Sequence, residues 1–376
     1  MRRAILSLLL LLPLAHADKW NVSHLHDQDD SSLYLRAIAI EFPSDQRGIA
    51  IGVITEKGRQ NGVAMVTANG GKTWDQVKLK EEPLSLACFT DAVCWISSPK
   101  SVWRSEEGGR EWKKVSDTKG ILKMHFVSAT QGWAAGARKS AWETRDGGKT
   151  WVLLEALKDV KATPENATFT TIAMNGAFGL IGGTSRPPRK DDSMFPDWMV
   201  PDEAAKRREW PGMMMLLETR DGGKSWTPSA SSLFGTLTTL RIRPDYPGAA
   251  ALLEFFHTFE APSEVLFVDF KSGKSTSIYR NKATAITDLM LAPNGSVVVA
   301  GTDATALRTL PIPQKLRILE TAITEGANSV IWTQHDVDYR ATGRRVQLAR
   351  KPNGQLWAVT DSGFILRLDR EIKAAK

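Results

Sequence analysis

Four short segments of this chain repeat one pattern at matching phase, and that repetition limits the fold more than any other feature. They are Thr67-Ala-Asn-Gly-Gly-Lys-Thr-Trp74, Ser105-Glu-Glu-Gly-Gly-Arg-Glu-Trp112, Thr144-Arg-Asp-Gly-Gly-Lys-Thr-Trp151 and Thr219-Arg-Asp-Gly-Gly-Lys-Ser-Trp226. Each copy lies between short apolar stretches, as with Met65-Val66 before the first and Val77 after it, so each is a turn between strands. The third position, Asn69, Asp146 or Asp221, carries a side chain that can accept hydrogen bonds from backbone N–H groups of the turn. The glycines, with Gly71, Gly109, Gly148 and Gly223 as the second of each pair, can take positive φ. Trp74, Trp112, Trp151 and Trp226 then pack the start of the following strand. All of these residues read as structural rather than catalytic.

The pattern resembles the Asp-box, or bacterial neuraminidase repeat. That resemblance implies a β-propeller in which the box links the outer strands of a blade, on the rim and away from the central channel. A second signal counts the blades. An apolar strand, a polar turn and a second strand recur at Ala37–Gly52, Leu86–Ile96, Met124–Gly136, Thr171–Gly183, Leu240–Leu253, Leu289–Gly301 and Val346–Thr360. The turn-side residues Gly48, Cys94, Gly132, Gly179, Gly248, Gly295 and Gly354 are 46, 38, 47, 69, 47 and 59 residues apart. A four-stranded blade takes about 40–50 residues. The expected fold is therefore all-β, a single seven-bladed propeller of four-stranded antiparallel blades.

The last three blades keep only remnants of the box: Asp269-Phe-Lys-Ser-Gly-Lys-Ser275, and the preceding strands alone at Leu307–Leu310 and Phe364–Leu368. Near the N-terminus, Lys19-Trp20-Asn21-Val22 reads like the strand that follows a box, without the box itself. Residues near 19–25 are thus expected to pair with Phe364–Leu368 and close the ring, leaving no free edge. The long fourth interval holds five prolines between 187 and 211, which argue for an inserted loop at 184–212 rather than an eighth blade. A helical turn near Glu203–Glu209 is expected within it. Phe195, Trp198 and Trp210 could make it a binding lid, or it could fold back as a plug. Arg186, Arg189, Lys190, Trp198, Arg207 and Arg208 are its candidate contact residues.

Residues 1–17 have the form of a signal peptide, with Arg2-Arg3, an apolar run from Ala4 to Leu14 and Ala15-His16-Ala17 before the expected cut. The domain would then be 18–376, periplasmic or secreted, with no membrane span after cleavage. It retains 47 Lys and Arg against 42 Asp and Glu, a mild +5 without a basic run interleaved with aromatics, so nucleic acid is not an expected partner. With 42% hydrophobic and 24% charged residues, disordered, collagen-like and polytopic membrane classes are excluded. Cys88 and Cys94 flank a three-residue loop centred on Asp91, which favours a disulfide over two free thiols in an exported chain. The clusters His24–Asp30 and His335–Tyr339 offer ligand types, but solvated loops are the usual outcome, and neither a metal nor another cofactor is expected.

A sialidase would need an arginine cluster, a Tyr nucleophile with a Glu partner, and a Phe/Tyr-Arg-Ile-Pro motif ahead of the first box. Here the nearest string is Leu240-Arg-Ile-Arg-Pro244, after the fourth box. A closer likeness lies in Phe126-Val-Ser-Ala-Thr-Gln-Gly-Trp-Ala-Ala-Gly136 leading into Thr144–Trp151. This composite resembles the photosystem II stability/assembly factor-like propeller family. It implies a non-enzymatic propeller that binds a protein partner, such as a subunit of an envelope or membrane complex. A carbohydrate-active Asp-box propeller, glycoside hydrolase or sialidase-like, is the alternative, and paired carboxylates 5–10 Å apart in the channel mouth would mark it.

Overall fold

The computed structural model describes residues 18–25, 33–186, 199, 202, 212–233, 235–242, 248–255, 261–270, 272–291, 296–304, 314–322 and 330–370. They form seven antiparallel sheets arranged as the blades of a propeller, nearly all of it β-structure. From the inner to the outer strand, blade 1 runs Leu33–Glu41, Gly48–Glu56, Arg59–Thr67 and Asp75–Lys78. Blades 2 and 3 begin with the inner strands Ser85–Cys88 and Ile121–Phe126, and blades 4 and 5 with Ala167–Asn175 and Gly235–Ile242. Blade 6 begins with Thr284–Leu291 and blade 7 with Val346–Arg350. All seven expected hairpins are the first and second strands of a blade.

The ring closes as expected. Lys19–Leu25 is the outer strand of blade 7, antiparallel to Phe364–Asp369, with Trp20 opposite Leu368 and Val22 opposite Leu366. Trp20 is fully buried in an apolar cluster shared by blades 6 and 7. The third strand of blade 6 is Gln314–Ala322, later in the chain than the sequence suggested, and Leu307–Leu310 lie outside the described residues. So do residues 1–17, His26 to Asp30 and the helical turn near 203–209.

Seven apolar clusters hold the ring together, one at each interface between neighbouring blades. Strands sandwiched in this way are buried on both faces, so inner and second strands read as nearly unbroken apolar runs, such as Gly48–Val53 and Val297–Gly301.

Candidate functional site

The boxes build the rim. The second glycines have φ of +84° at Gly71, +87° at Gly109 and Gly148, and +85° at Gly223, and each donates its N–H at 2.9 Å to the Ser or Thr hydroxyl that opens its box. Asp146 accepts from the backbone of Lys149 and Thr150 and from the Thr150 hydroxyl, at 3.0, 2.9 and 2.6 Å. Asp221 accepts from the Ser225 backbone and hydroxyl at 2.9 and 2.5 Å, and these bonds to its ionised form, with that from Thr219, hold its carboxyl down to about 2. Asn69 accepts from the Thr73 backbone at 3.0 Å. The first glycine of each box then bonds to the first hairpin turn of its own blade, through Gln46, Ala92, Thr130 and Ala177 carbonyls at 2.8–2.9 Å. Every acceptor of these side chains is therefore spent on the turn itself, which makes the box a brace rather than a site.

The box also locks neighbouring blades. A Cβ on Gly71 would lie 2.2 Å from Trp357, on Gly223 2.3 Å from Trp133 and on Gly109 2.7 Å from Ile49, while Gly148 seats Trp95 at 3.4 Å. Each of these residues is on the second strand of the preceding blade. Trp95 adds a hydrogen bond from its indole to the Gly147 carbonyl at 2.8 Å.

Cys88 and Cys94 are joined by a disulfide across the first hairpin of blade 2, with Cα atoms 4.1 Å apart. Arg186 is exposed at the end of the second strand of blade 4, where the insertion departs, and its N–H bonds the Asn166 carbonyl at 2.9 Å. Arg189, Lys190, Trp198, Arg207 and Arg208 lie outside the described residues, as do Phe195 and Trp210.

His335 departs from the expected solvated loop. It is 5% exposed, accepts at Nδ1 from the Trp20 indole at 3.1 Å, and faces Glu320 through Nε2 at 3.2 Å. Glu320 also takes a two-pronged bond from Arg370 at 2.9 Å, and Arg370 reaches Asp18 at 3.1 Å. Burial alone would raise the Glu320 carboxyl, but His335, Arg370 and Ser296 bring it down to about 2. Asp18, Glu320 and His335 converge within 4.8 Å in a way that could hold a metal ion, yet the Arg370 guanidinium already supplies the cation there. This cluster fastens the N-terminal strand.

The chemistry that the sequence did not reveal is in the central channel. Glu41, Lys123, Arg241 and Asp288 come from the inner strands of blades 1, 3, 5 and 6 and act on one another electrostatically. Blades 1, 3 and 5 are not neighbours, so these groups can meet only across the axis. Burial pushes the Glu41 carboxyl up and the Lys123 amine down, and burial with Lys123 and Arg241 lowers His125 to about 4, so its imidazole is neutral at pH 7. Both carboxylates are tied to backbone: Glu41 accepts from Cys88 N–H at 2.7 Å, and Asp288 from Leu289 and Leu348 N–H at 2.9 and 2.8 Å. Arg241 lies 3.4 Å from Asp288. The sequence carries one signal of this cluster: Glu41, His125 and Arg241 place a charged or titratable side chain at the same register position of their first strands. Away from the axis, a cleft of about 760 Å³ between blades 1 and 2 is lined by Asn61, Lys78, Lys80, Glu82 and Lys100 among others.

The family model described as photosynthesis system II assembly factor YCF48 matches residues 116–187, which span blade 3 and the first hairpin of blade 4. The chain is similar to the photosystem II assembly factor-like β-propellers. The likeness read from Phe126–Trp151 is borne out, and solved structures extend the fold to the whole ring. A structure of YCF48 bound to D1 peptide is 16% identical, with TM-score 0.57, covering 94% of this chain and 100% of that one. YCF48 from Cyanidioschyzon merolae is 13% identical, with TM-score 0.58, covering 94% and 98%. An ancestral GH74 enzyme is 9% identical, with TM-score 0.59, and this chain matches 46% of its length. At these identities the structures establish the propeller fold that assembly factor-like proteins share with enzymes. None of the curated proteins matches the sequence significantly.

Proposed function

We propose that this propeller is an exported, non-enzymatic module that binds a protein partner and assists assembly of an envelope or membrane complex. The observation that carries the reading is the match of the YCF48 family model to residues 116–187. Three others support it. Both channel carboxylates among the described residues are held by backbone N–H groups, an arrangement suited to structure rather than to acid–base work. The leader-like residues 1–17 and the Cys88–Cys94 bridge agree with an oxidising compartment outside the cytoplasm. A propeller of similar fold carries a D1 peptide, so the scaffold can present a peptide-binding surface. The 184–212 insertion, with Arg186 exposed at its base, is the added contact element.

Affinity capture from native envelope extract tests the proposal, with 18–376 as bait beside a variant in which 185–211 is a short Gly/Ser linker. A partner held by the first and lost by the second supports both the module and the insertion. The same partner on both removes the insertion only, and no partner on either removes the assembly role.

Glu41 favours a second reading, in which its bond from Cys88 N–H positions the carboxyl for acid–base work. Its buried carboxyl, raised above the usual range, is the kind of group a glycoside hydrolase uses as general acid. Hydrolysis of a panel of chromogenic glycosides, lost in Glu41→Gln, would establish it.

A further inference from the structure

Lys123 and His125 of the channel make no hydrogen bond or ion pair among the described residues. They stand two residues apart on the inner strand of blade 3, and so on one face of it. Both sit deep in the fold and still keep partial accessibility, because the channel itself admits solvent. The carboxylates that act on Lys123 from a distance spend their hydrogen bonds on other groups. Glu41 bonds the Cys88 backbone, and Asp288 bonds two backbone N–H groups and Arg241. At the register level of Glu41, His125 and Arg241, blades 2, 4 and 7 carry only Ala87, Ala173 and Ala349, and at the level of Lys123 blade 7 carries Gln347, whose neutral amide cannot balance the ammonium charge.

A cation withdrawn from bulk water without a matching acceptor is strongly unfavourable, and a site that keeps one accessible is prepared for an anion. We propose that the channel is a carboxylate-binding site, in which Lys123 and His125 hold the anion with Arg241 across the axis. Lys123 supplies charge and the neutral His125 ring a directional N–H donor. A single negative charge suits the channel, since Glu41 and Asp288 would repel a dianion. The carboxylate can belong to a free organic acid or to an acidic group of a bound peptide. The site does not depend on the assembly reading, because a free acid is enough to fill it.

The test follows the ring nitrogens of His125 by NMR in full-length mature protein with ¹⁵N-labelled histidine, assigned with His125→Gln. Acetate is titrated in one arm, a capped Gly-Glu-Gly peptide in a second and its Gly-Gln-Gly analogue in a third. A saturable shift with acetate assigns the site to free acids; a shift with the Glu peptide alone assigns it to an acidic group of a peptide. In either case affinity should fall at least tenfold in Lys123→Met and be largely kept in Lys123→Arg. No shift in the first two arms, an equal shift with the Gln peptide, or unchanged affinity in a folded Lys123→Met overturns the proposal. Should Lys123→Met fail to fold, the wild-type comparison of Glu and Gln peptides with acetate decides alone.

Discussion

Blades 1–4 and blades 5–7 solve the same packing problem with different parts. Where a box follows, the preceding blade offers a large side chain to its second glycine: Trp357 under Gly71, Ile49 under Gly109, Trp95 against Gly148 and Trp133 under Gly223. Where the box has eroded, the register-equivalent positions are Leu180, Ala250 and Val298, buried and without an aromatic ring. Other aromatics take over on that side. Phe178 stacks on Phe270 with centroids 5.7 Å apart, and Trp332 meets Tyr279 edge-on while donating to the Ile278 carbonyl at 2.8 Å. The box and the large second-strand side chain of the blade before it thus act as one device split between two blades.

The largest effect is expected where the two halves join. Residues 18–25 belong to blade 7 yet touch the first box, through Ser23 and the Gly71 carbonyl at 2.9 Å. Deleting them exposes the edge of Phe364–Asp369 and empties the Trp20 pocket. The cooperative thermal transition should be lost, and a deletion melting like the full chain would show closure to be dispensable.

Glycine substitutions separate the halves next. Gly223→Ala places a Cβ on the Trp133 ring at φ +85° and should cost more than about 2 kcal/mol. Gly273→Ala, in the blade 5 remnant at φ +69° with nothing within 4 Å, should cost about 1 kcal/mol. Equal losses in urea titrations would sink the two-blade account.

Blade 2 has Glu107 where its neighbours have Asn or Asp, and closes its first hairpin with the disulfide instead. Cys88→Ser with Cys94→Ser, or reduction, should cost about 2 kcal/mol for so short a loop, read from denaturant midpoints.

The Asp of the box carries a pH signature. The Asp221 carboxyl at about 2 is depressed below an unfolded value near 3.9, so its contribution is present above about pH 4 and lost as pH falls toward 2. The melting temperature of Asp221→Asn should lie below that of the parent at pH 7 and meet it near pH 2; a constant gap would assign the loss to something other than ionisation. The smallest change is a gain: Glu107→Asp should restore a turn acceptor and stabilise by about 0.5 kcal/mol, detectable calorimetrically.

The legible part of the fold was local. The hairpin strands and boxes announce themselves because alternating apolar runs, glycines at positive φ and capping side chains act over eight to fifteen residues. The closure was legible for the same reason, since Lys19–Val22 looks like a post-box strand. His335 was not. Its sequence neighbourhood is polar, and what buries it is Trp20, 315 positions away in the chain. Trp332 is equally illegible, since the residues before it do not form a box, although it stands before the outer strand of blade 6, Thr333–Gln334, as the box tryptophans do.

The sequence by itself determined the number of blades, the turns that brace them and the pair of strands that seals the ring, since each depends on short-range backbone and side-chain preferences. Only the tertiary structure decided which charges share the channel. Glu41, Lys123, Arg241 and Asp288 are spread over nearly 250 residues and meet because each blade is wedge-packed against the next, bringing inner strands that never pair with one another to a common axis. Burial there pushes the Glu41 carboxyl up and the Lys123 amine down, and leaves Lys123 and His125 facing the channel.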